Sequence, residues 1–368
     1  MKAHDWLVRL IQQPQDAVLI AEQDWVLIIR LLRKQQLLAR YSHLFRQADV
    51  FDVLPSYTKH HLRNAEILAN KQFHQVAFEA QELIRLLAPL NVNPVFLKGA
   101  AYSLARGACI GQGRTYSDID ILVPKASITA VEQRLALHGY FGEPMTPYDQ
   151  QYYRKWTHEI PPIRHHSRGT VIDIHHNLVP PISGRAPEIS HFLNHLKITE
   201  QGYQVLDLPA MTLHSIIHLL FNEEFKNGFR DLTDLHLLFG QFEQPEQWLA
   251  LIELAEATCF SKELYLACRY CQKILQTKFP DDFYQQLQSK QSSLLNQAVL
   301  DFTFAHVLCP RHPVIDNWKH RLADTLGWLR GHWLKMPFSV LLWHTAVKSS
   351  RAVMMAVLGK SYFEPERR

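Results

Sequence analysis

The segment Arg114-Thr-Tyr-Ser-Asp118-Ile-Asp120-Ile-Leu-Val123 sets two carboxylates two residues apart within the apolar pattern of a buried strand. Strand side chains alternate between faces, so Asp118, Asp120 and Leu122 share one face while Ile119, Ile121 and Val123 share the other. Two like charges side by side on one face repel each other and are costly to desolvate. The pattern therefore calls for a compensating cation, and a divalent metal ion is the obvious candidate.

The flanking segments add to this. Pro94-Val-Phe-Leu-Lys98-Gly99-Ala-Ala-Tyr-Ser103-Leu reads as a short apolar strand passing through a glycine into a helix. That geometry aims backbone N–H groups and the positive end of a helix dipole at an anion, and Lys98 adds a full charge beside them. Downstream, Gly169-Thr-Val-Ile-Asp173-Ile-His175-His176 is a β-branched run in which Val171, Asp173 and His175 share a face. A third acid would lie beside the first two if the strands are neighbours.

A phosphate seat, an Asp-x-Asp strand and a third aspartate on a later strand resemble the nucleotidyltransferase superfamily with the DNA-polymerase-β-like palm. The Leu97-Lys98-Gly99 turn, Arg114 four residues before Asp118 and the Asp173-Ile-His175 strand look most like a poorly characterised bacterial branch of it. The resemblance is concentrated in residues 94–176. It implies that Asp118 and Asp120 hold two Mg²⁺ (or Mn²⁺) ions, that Asp173 holds one of them and helps activate an acceptor hydroxyl, and that the Gly99 loop binds a nucleoside triphosphate. Lys98, Gly99, Ser103 and Arg114 would be the nucleotide-binding set. The chain departs from the superfamily pattern in one respect: the loop is Gly99-Ala100 where most members carry Gly-Ser or Gly-Gly, and the spacer to Asp118 is longer.

The chemistry fits the residue types. In phosphoryl-type transfer the protein positions groups and neutralises charge, and paired metals clamp the attacking and leaving oxygens in line. Hard Mg²⁺ prefers carboxylate and water oxygens, which an all-aspartate set supplies better than histidines do. The competing reading makes Asp118 a turn cap, Asp120 a partner of Arg114 and Asp173 a surface residue.

Hydropathy periodicity divides the chain into an N-terminal helical region (1–90), an α/β core (91–200) and a C-terminal helical domain (201–368), an α+β organisation around a small mixed-sheet palm. Strands are expected at Val95–Lys98, Ile119–Val123, Trp156–Ile163 and Thr170–His175, with helices through Leu104 and from Ser127 to His138. At 47% hydrophobic and 20% charged residues the chain is ordinary globular protein, and its net charge of +4 is too small for a dedicated nucleic-acid binder. Five cysteines at irregular spacing argue against a disulfide framework and fit a cytoplasmic setting. Asp5 and Arg9 interrupt the first apolar stretch, which does not read as a signal peptide.

Other groupings carry open alternatives. Cys268-x-x-Cys271 sits in an amphipathic helical pattern and reads as buried thiols rather than a zinc or redox motif. His158, His165, His166, His175 and His176 cluster in sequence without a His-Glu-x-x-His or finger spacing; His175 is placed near the site because it shares the face of Asp173. Arg154, Lys155, Arg164, Arg168 and Arg185 form either a basic wall for an anion or a solvated charged face. Arg230 and Asp234 stand at i, i+4 on a helix, as an exposed ion pair or, by the family resemblance, as part of a helix closing over the nucleotide. Residues 328–360 hold basic side chains and tryptophans without an acid, which suits peripheral contact with an anionic membrane or packing on the helical domain.

The expected activity is metal-dependent transfer of a nucleoside monophosphate from an NTP to a hydroxyl or phosphate acceptor, with release of pyrophosphate. The acceptor class stays open among a small molecule, an RNA end and a protein. The alternative is a catalytically weak member that binds nucleotide or a protein through the same fold.

Overall fold

The structure is a computed structural model that describes residues 2–105, 109–290 and 293–358. It is α+β, mostly helical, with a seven-stranded mixed sheet in the middle.

The strands are β1 (Val95–Phe96), β2 (Ile119–Leu122), β3 (Tyr140–Gly142), β4 (Ile163–His165), β5 (Val171–His175), β6 (Leu196–Ile198) and β7 (Gln204–Leu206). They are ordered β3-β4-β5-β2-β1-β7-β6. β2 runs parallel to β5 and antiparallel to β1, and β4 pairs antiparallel with β5. The mixed character follows from chain connectivity, because only a tight turn joins β4 to β5 and a short return of that kind forces antiparallel pairing.

The apolar side of the two central strands, Ile119, Ile121, Ile172 and Ile174, is fully buried. Helix Lys98–Leu104 packs against β2 and β7. Helix Ser56–Leu87 has no internal Gly or Pro and buries Leu62, Ala69, Val76, Ala80, Leu83 and Leu87 at helical spacing. Helix Leu208–Phe221 is apolar almost all round, and the helices Gly228–Phe239, Pro245–Ala257, Ser261–Leu275 and Trp318–Lys335 surround it.

One expected strand is corrected, and three short strands were not foreseen. Trp156–Ile163 is not a strand: Pro147–Trp156 is a helix started by the Thr146 side chain, which accepts from the Asp149 N–H at 3.2 Å. The following segment makes one bridge, Glu159 to His175, and then meets Pro161 and Pro162, which have no N–H to give a ladder. The short strands β3, β6 and β7 lack a readable alternation, and β7 carries the sheet past residue 200 to Leu206.

Cys268 and Cys271 are fully buried, and burial raises both thiols above their ordinary range. In the C-terminal segment, helix Trp318–Lys335 turns Ala323, Gly327 and Gly331 inward. Arg330 donates to the Leu220 carbonyl and Lys335 pairs with Glu223, so both cations point into the molecule. On helix Phe338–Leu358, Phe338, Leu342 and Trp343 are exposed. Among the described residues no helix is long and apolar enough to cross a membrane.

Candidate functional site

β2 and β5 pair in parallel with Asp120 opposite Asp173 and Leu122 opposite His175. In-register neighbours point to the same face, so the two aspartates stand side by side, with Asp118 immediately before β2 and His175 diagonally across from Asp120. Asp120 is buried; Asp118 and Asp173 are half-buried.

The three carboxyls differ in their surroundings. Asp120 Oδ1 accepts from Lys98 Nζ at 2.6 Å and from His175 Nε2 at 2.9 Å. Burial alone would raise its pKa, but Lys98 and His175 outweigh burial and hold it well below the usual carboxylate range. Among the described residues no cation bonds Asp173, and Lys98 acts on it only weakly. Burial, reinforced by the charges of Asp120, Asp118 and Glu159, pushes it up to about 8, and its Oδ1 is buried without a hydrogen-bond partner. Burial and Asp120 also raise Asp118, which accepts from Ser117 Oγ at 3.1 Å.

Asp118 and Asp120 open into a cleft of about 340 Å³ whose wall also includes Lys98, Gly99, Arg114, His218, Arg230 and Asp231. A Cβ on Gly99 would meet the Tyr116 ring at 3.2 Å, so this first turn of helix Lys98–Leu104 passes close beneath that ring. Lys98 itself has φ +48°, a left-handed conformation, and its ammonium points to Asp120. Ser103 is not on the cleft wall: it is buried and hydrogen-bonded to the Tyr116 hydroxyl.

Arg114 is drawn into a buried cluster not foreseen from sequence. Its Nε lies 3.1 Å from Asp234 Oδ2, and Arg40 Nη1 donates to Asp234 Oδ1 at 2.7 Å. Arg40 Nη2 also donates to the Ile110 carbonyl at 2.6 Å. Gly113 adopts φ +66°, and a Cβ there would come within 2.5–2.7 Å of the Ala39 and Arg40 backbone. The loop before Asp118 is thus pinned to both flanking helical regions. The expected Arg230–Asp234 ion pair gives way to this arrangement: Arg230 bonds Asp231, at 2.9 Å, and Arg230 remains on the cleft wall.

The basic wall also resolves differently. Arg154 pairs with Glu132, Arg164 with Glu143, Arg185 with Glu263 and Arg168 with Glu79. Glu79 is fully buried on helix Ser56–Leu87 and accepts from Arg168, Tyr140 and Thr170, fastening that helix to the β3–β5 side of the sheet. Buried acids and bases inside apolar helical patterns, Arg40 and Glu79, were the available sequence signal. His214 and His218 on helix Leu208–Phe221 carried none; burial holds His214 at about 3 and His218 well below the imidazole range.

Residues 21–276, more than half of the chain, match the family described as "Uncharacterised nucleotidyltransferase". The chain belongs to this nucleotidyltransferase family. Among solved structures, an antigenic nucleotidyltransferase-like protein from Paracoccidioides brasiliensis is similar at 14% identity and a TM-score of 0.31, over 56% of this chain and 97% of that one. No curated protein matches significantly. The matched span of the nucleotidyltransferase family contains the whole sheet, all three aspartates, and both arginines of the Asp234 cluster.

The cleft wall carries six carboxylates (Asp118, Asp120, Glu223, Glu224, Asp231, Asp234) against four cations (Lys98, Arg114, Lys226, Arg230). A polyanionic ligand meets net repulsion there unless cations accompany it. The unpartnered Asp173 Oδ1 and the oxygen-only donor set of Asp118, Asp120 and Asp173 suit a hard divalent ion.

Proposed function

We propose that this nucleotidyltransferase family member moves a nucleoside monophosphate from an NTP to a hydroxyl or phosphate acceptor. The observation that carries the proposal is the in-register pairing of Asp120 with Asp173, with Asp118 immediately before β2 and, like Asp120, on the cleft wall. Asp118, Asp120 and Asp173 would hold Mg²⁺ or Mn²⁺. When bound, such ions neutralise the triphosphate and favour ionisation of the acceptor oxygen. Lys98 and Arg230 line the same cleft and supply fixed positive charge for the polyphosphate, while Gly99 allows close approach of backbone. The acceptor oxygen forms the new bond to the α-phosphorus, the bond to the β,γ-diphosphate breaks and pyrophosphate leaves. With a cation bound, Asp173 would be ionised, and its Oδ1, which has no hydrogen-bond partner among the described residues, would then take the acceptor proton. His175 holds Asp120 in place through Nε2.

One observation favours the alternative of a catalytically weak, nucleotide-binding member. Lys98 already neutralises Asp120 at 2.6 Å, where a metal ion would otherwise do so. Incubating the protein with each α-phosphate-labelled NTP, Mg²⁺ or Mn²⁺, and cell extract separates the two. Label transferred to a small-molecule, RNA or protein fraction supports the enzyme and names the acceptor class. Nucleotide binding without transfer in every fraction supports the weak member.

For the C-terminal segment we propose peripheral contact of residues 328–360 with an anionic bilayer, supported by the exposed Trp333, Phe338 and Trp343 and by the absence of acids between Asp324 and Glu364. Sedimentation with vesicles containing anionic lipid tests it. Full-length protein remaining in the supernatant at low salt overturns it.

A further inference from the structure

His158, which the nucleotide site leaves unused, meets the free side of His175 at the end of β5. The segment after helix Pro147–Trp156 folds back on that strand: Ile160 N–H donates to the Ile174 carbonyl at 3.1 Å and His176 N–H to the His158 carbonyl at 2.8 Å. This backbone pairing gathers His158, Glu159 and His175, whose donor atoms all lie within 4.8 Å of one another. Glu159 Oε2 is 3.4 Å from His175 Nδ1 and 4.0 Å from His158 Nε2. Around a tetrahedral ion with bonds of about 2.0–2.1 Å, donor atoms stand about 3.3–3.4 Å apart. One pair is already at that spacing and the others need a small contraction.

A second observation concerns lone pairs. Asp120 is an acceptor, so the 2.9 Å contact from His175 Nε2 places a proton on that nitrogen. In the neutral ring Nδ1 then carries a lone pair, and it faces the carboxylate oxygen of Glu159 at 3.4 Å. His158 Nε2 faces the same oxygen, and its Nδ1 is buried without a partner that would turn the ring away. Acceptors converging on one point need a positive species between them. The Asp120–His175 contact also has the form that orients a metal-ligating histidine, a carboxylate receiving the N–H opposite the ligating nitrogen.

We propose that His158, Glu159 and His175 form a second cation site, distinct from the three aspartates, that takes a borderline divalent ion of the Zn²⁺ class and leaves a fourth position open. Two imidazoles and one carboxylate favour such an ion over Mg²⁺, which selects oxygen donors. The sequence offered no spacing signature for it, because His175 comes from a strand and the other two from a loop that only tertiary pairing brings alongside.

The test uses full-length protein stripped of metal and titrated with Zn²⁺ against a chromophoric chelator, with excess Mg²⁺ present to fill the carboxylate site. One Zn²⁺ per chain is expected. His158→Ala and Glu159→Gln should each lower Zn²⁺ affinity by at least the ~100-fold that loss of a supporting partner can cost. Asp118→Asn and Asp173→Asn should leave it within a few-fold. Glu159→Gln is isosteric and half-exposed, so it keeps the test valid if His158→Ala fails to fold, with circular dichroism as the check. Co²⁺-loaded wild-type protein should show the strong visible absorption of a four-coordinate ion, and Glu159→Gln should lose it. No Zn²⁺ binding by the wild type overturns the proposal, since a proton alone would then bridge the three groups. Zn²⁺ binding retained in Glu159→Gln but lost in Asp173→Asn also overturns it, placing the ion on the aspartates.

Discussion

Lys98 Nζ lies 2.6 Å from Asp120 Oδ1, joining the residue expected to meet phosphate to the residue expected to meet metal. The ammonium is already committed before any ligand arrives. Lys98→Met would leave a buried carboxylate supported only by His175, a change that costs about 3 kcal/mol for a buried pair broken on one side. Urea unfolding in EDTA should show that loss, and Mg²⁺ should recover part of it by supplying the missing charge. A loss below about 1 kcal/mol would mean that Lys98 is free to serve the nucleotide alone.

Asp173 stands beside Asp120, and among the described residues no cation bonds it. Asp173→Asn should lower turnover by orders of magnitude while changing NTP affinity modestly, as for an interaction realised in the transition state. In EDTA at a pH above about 8, where the wild-type Asp173 is ionised beside two like charges, the same variant should be more stable than wild type by about 1 kcal/mol, and the gap should close as pH falls. Calorimetry for the nucleotide and thermal melts for stability check both parts. Near-wild-type turnover would sink the three-carboxylate site.

Glu79 gives a pH dependence. Burial alone would raise its carboxyl, but hydrogen bonds from Arg168, Tyr140 and Thr170 outweigh burial and hold it below the ordinary value. A lowered folded-state pKa means that its stabilising contribution is fully present above the unfolded value of about 4.3 and is lost as pH falls through the folded value. Glu79→Gln should cost about 3 kcal/mol at pH 7 and should flatten the acid limb of the stability curve. Parallel acid limbs in the two proteins would show that Glu79 is not the titrating group.

Asp234 and Arg230 sit four residues apart on one helix and should behave differently. Asp234→Asn strips a shared anion from Arg40 and Arg114 and should destabilise the protein by about 3–5 kcal/mol. Arg230→Ala, on the cleft wall with Asp231 beside it, should cost under about 1 kcal/mol of stability and weaken NTP binding. Equal stability losses would place Arg230 in the structural cluster.

The alternating Ile119-Asp120-Ile121 and Ile172-Asp173-Ile174 patterns determined by themselves that two strands each bear an acid on one face, and the uninterrupted stretch after Pro55 determined a long helix. Those are local properties, set by side-chain alternation and by the absence of helix breakers. The Cys268/Cys271 pair was likewise legible, because an amphipathic helix puts both on its buried side. Tertiary structure alone decided which groups answer one another across the chain. Asp234 pairs with Arg40, 194 residues away, instead of its helical neighbour Arg230, and Glu79 takes Arg168 out of the basic wall. Burial makes an unpaired charge so costly that partners are chosen by three-dimensional proximity and desolvation, which sequence spacing does not encode. For the same reason the register that sets Asp120 beside Asp173, and the fold-back that brings His158 and Glu159 to His175, exist only once the sheet is assembled.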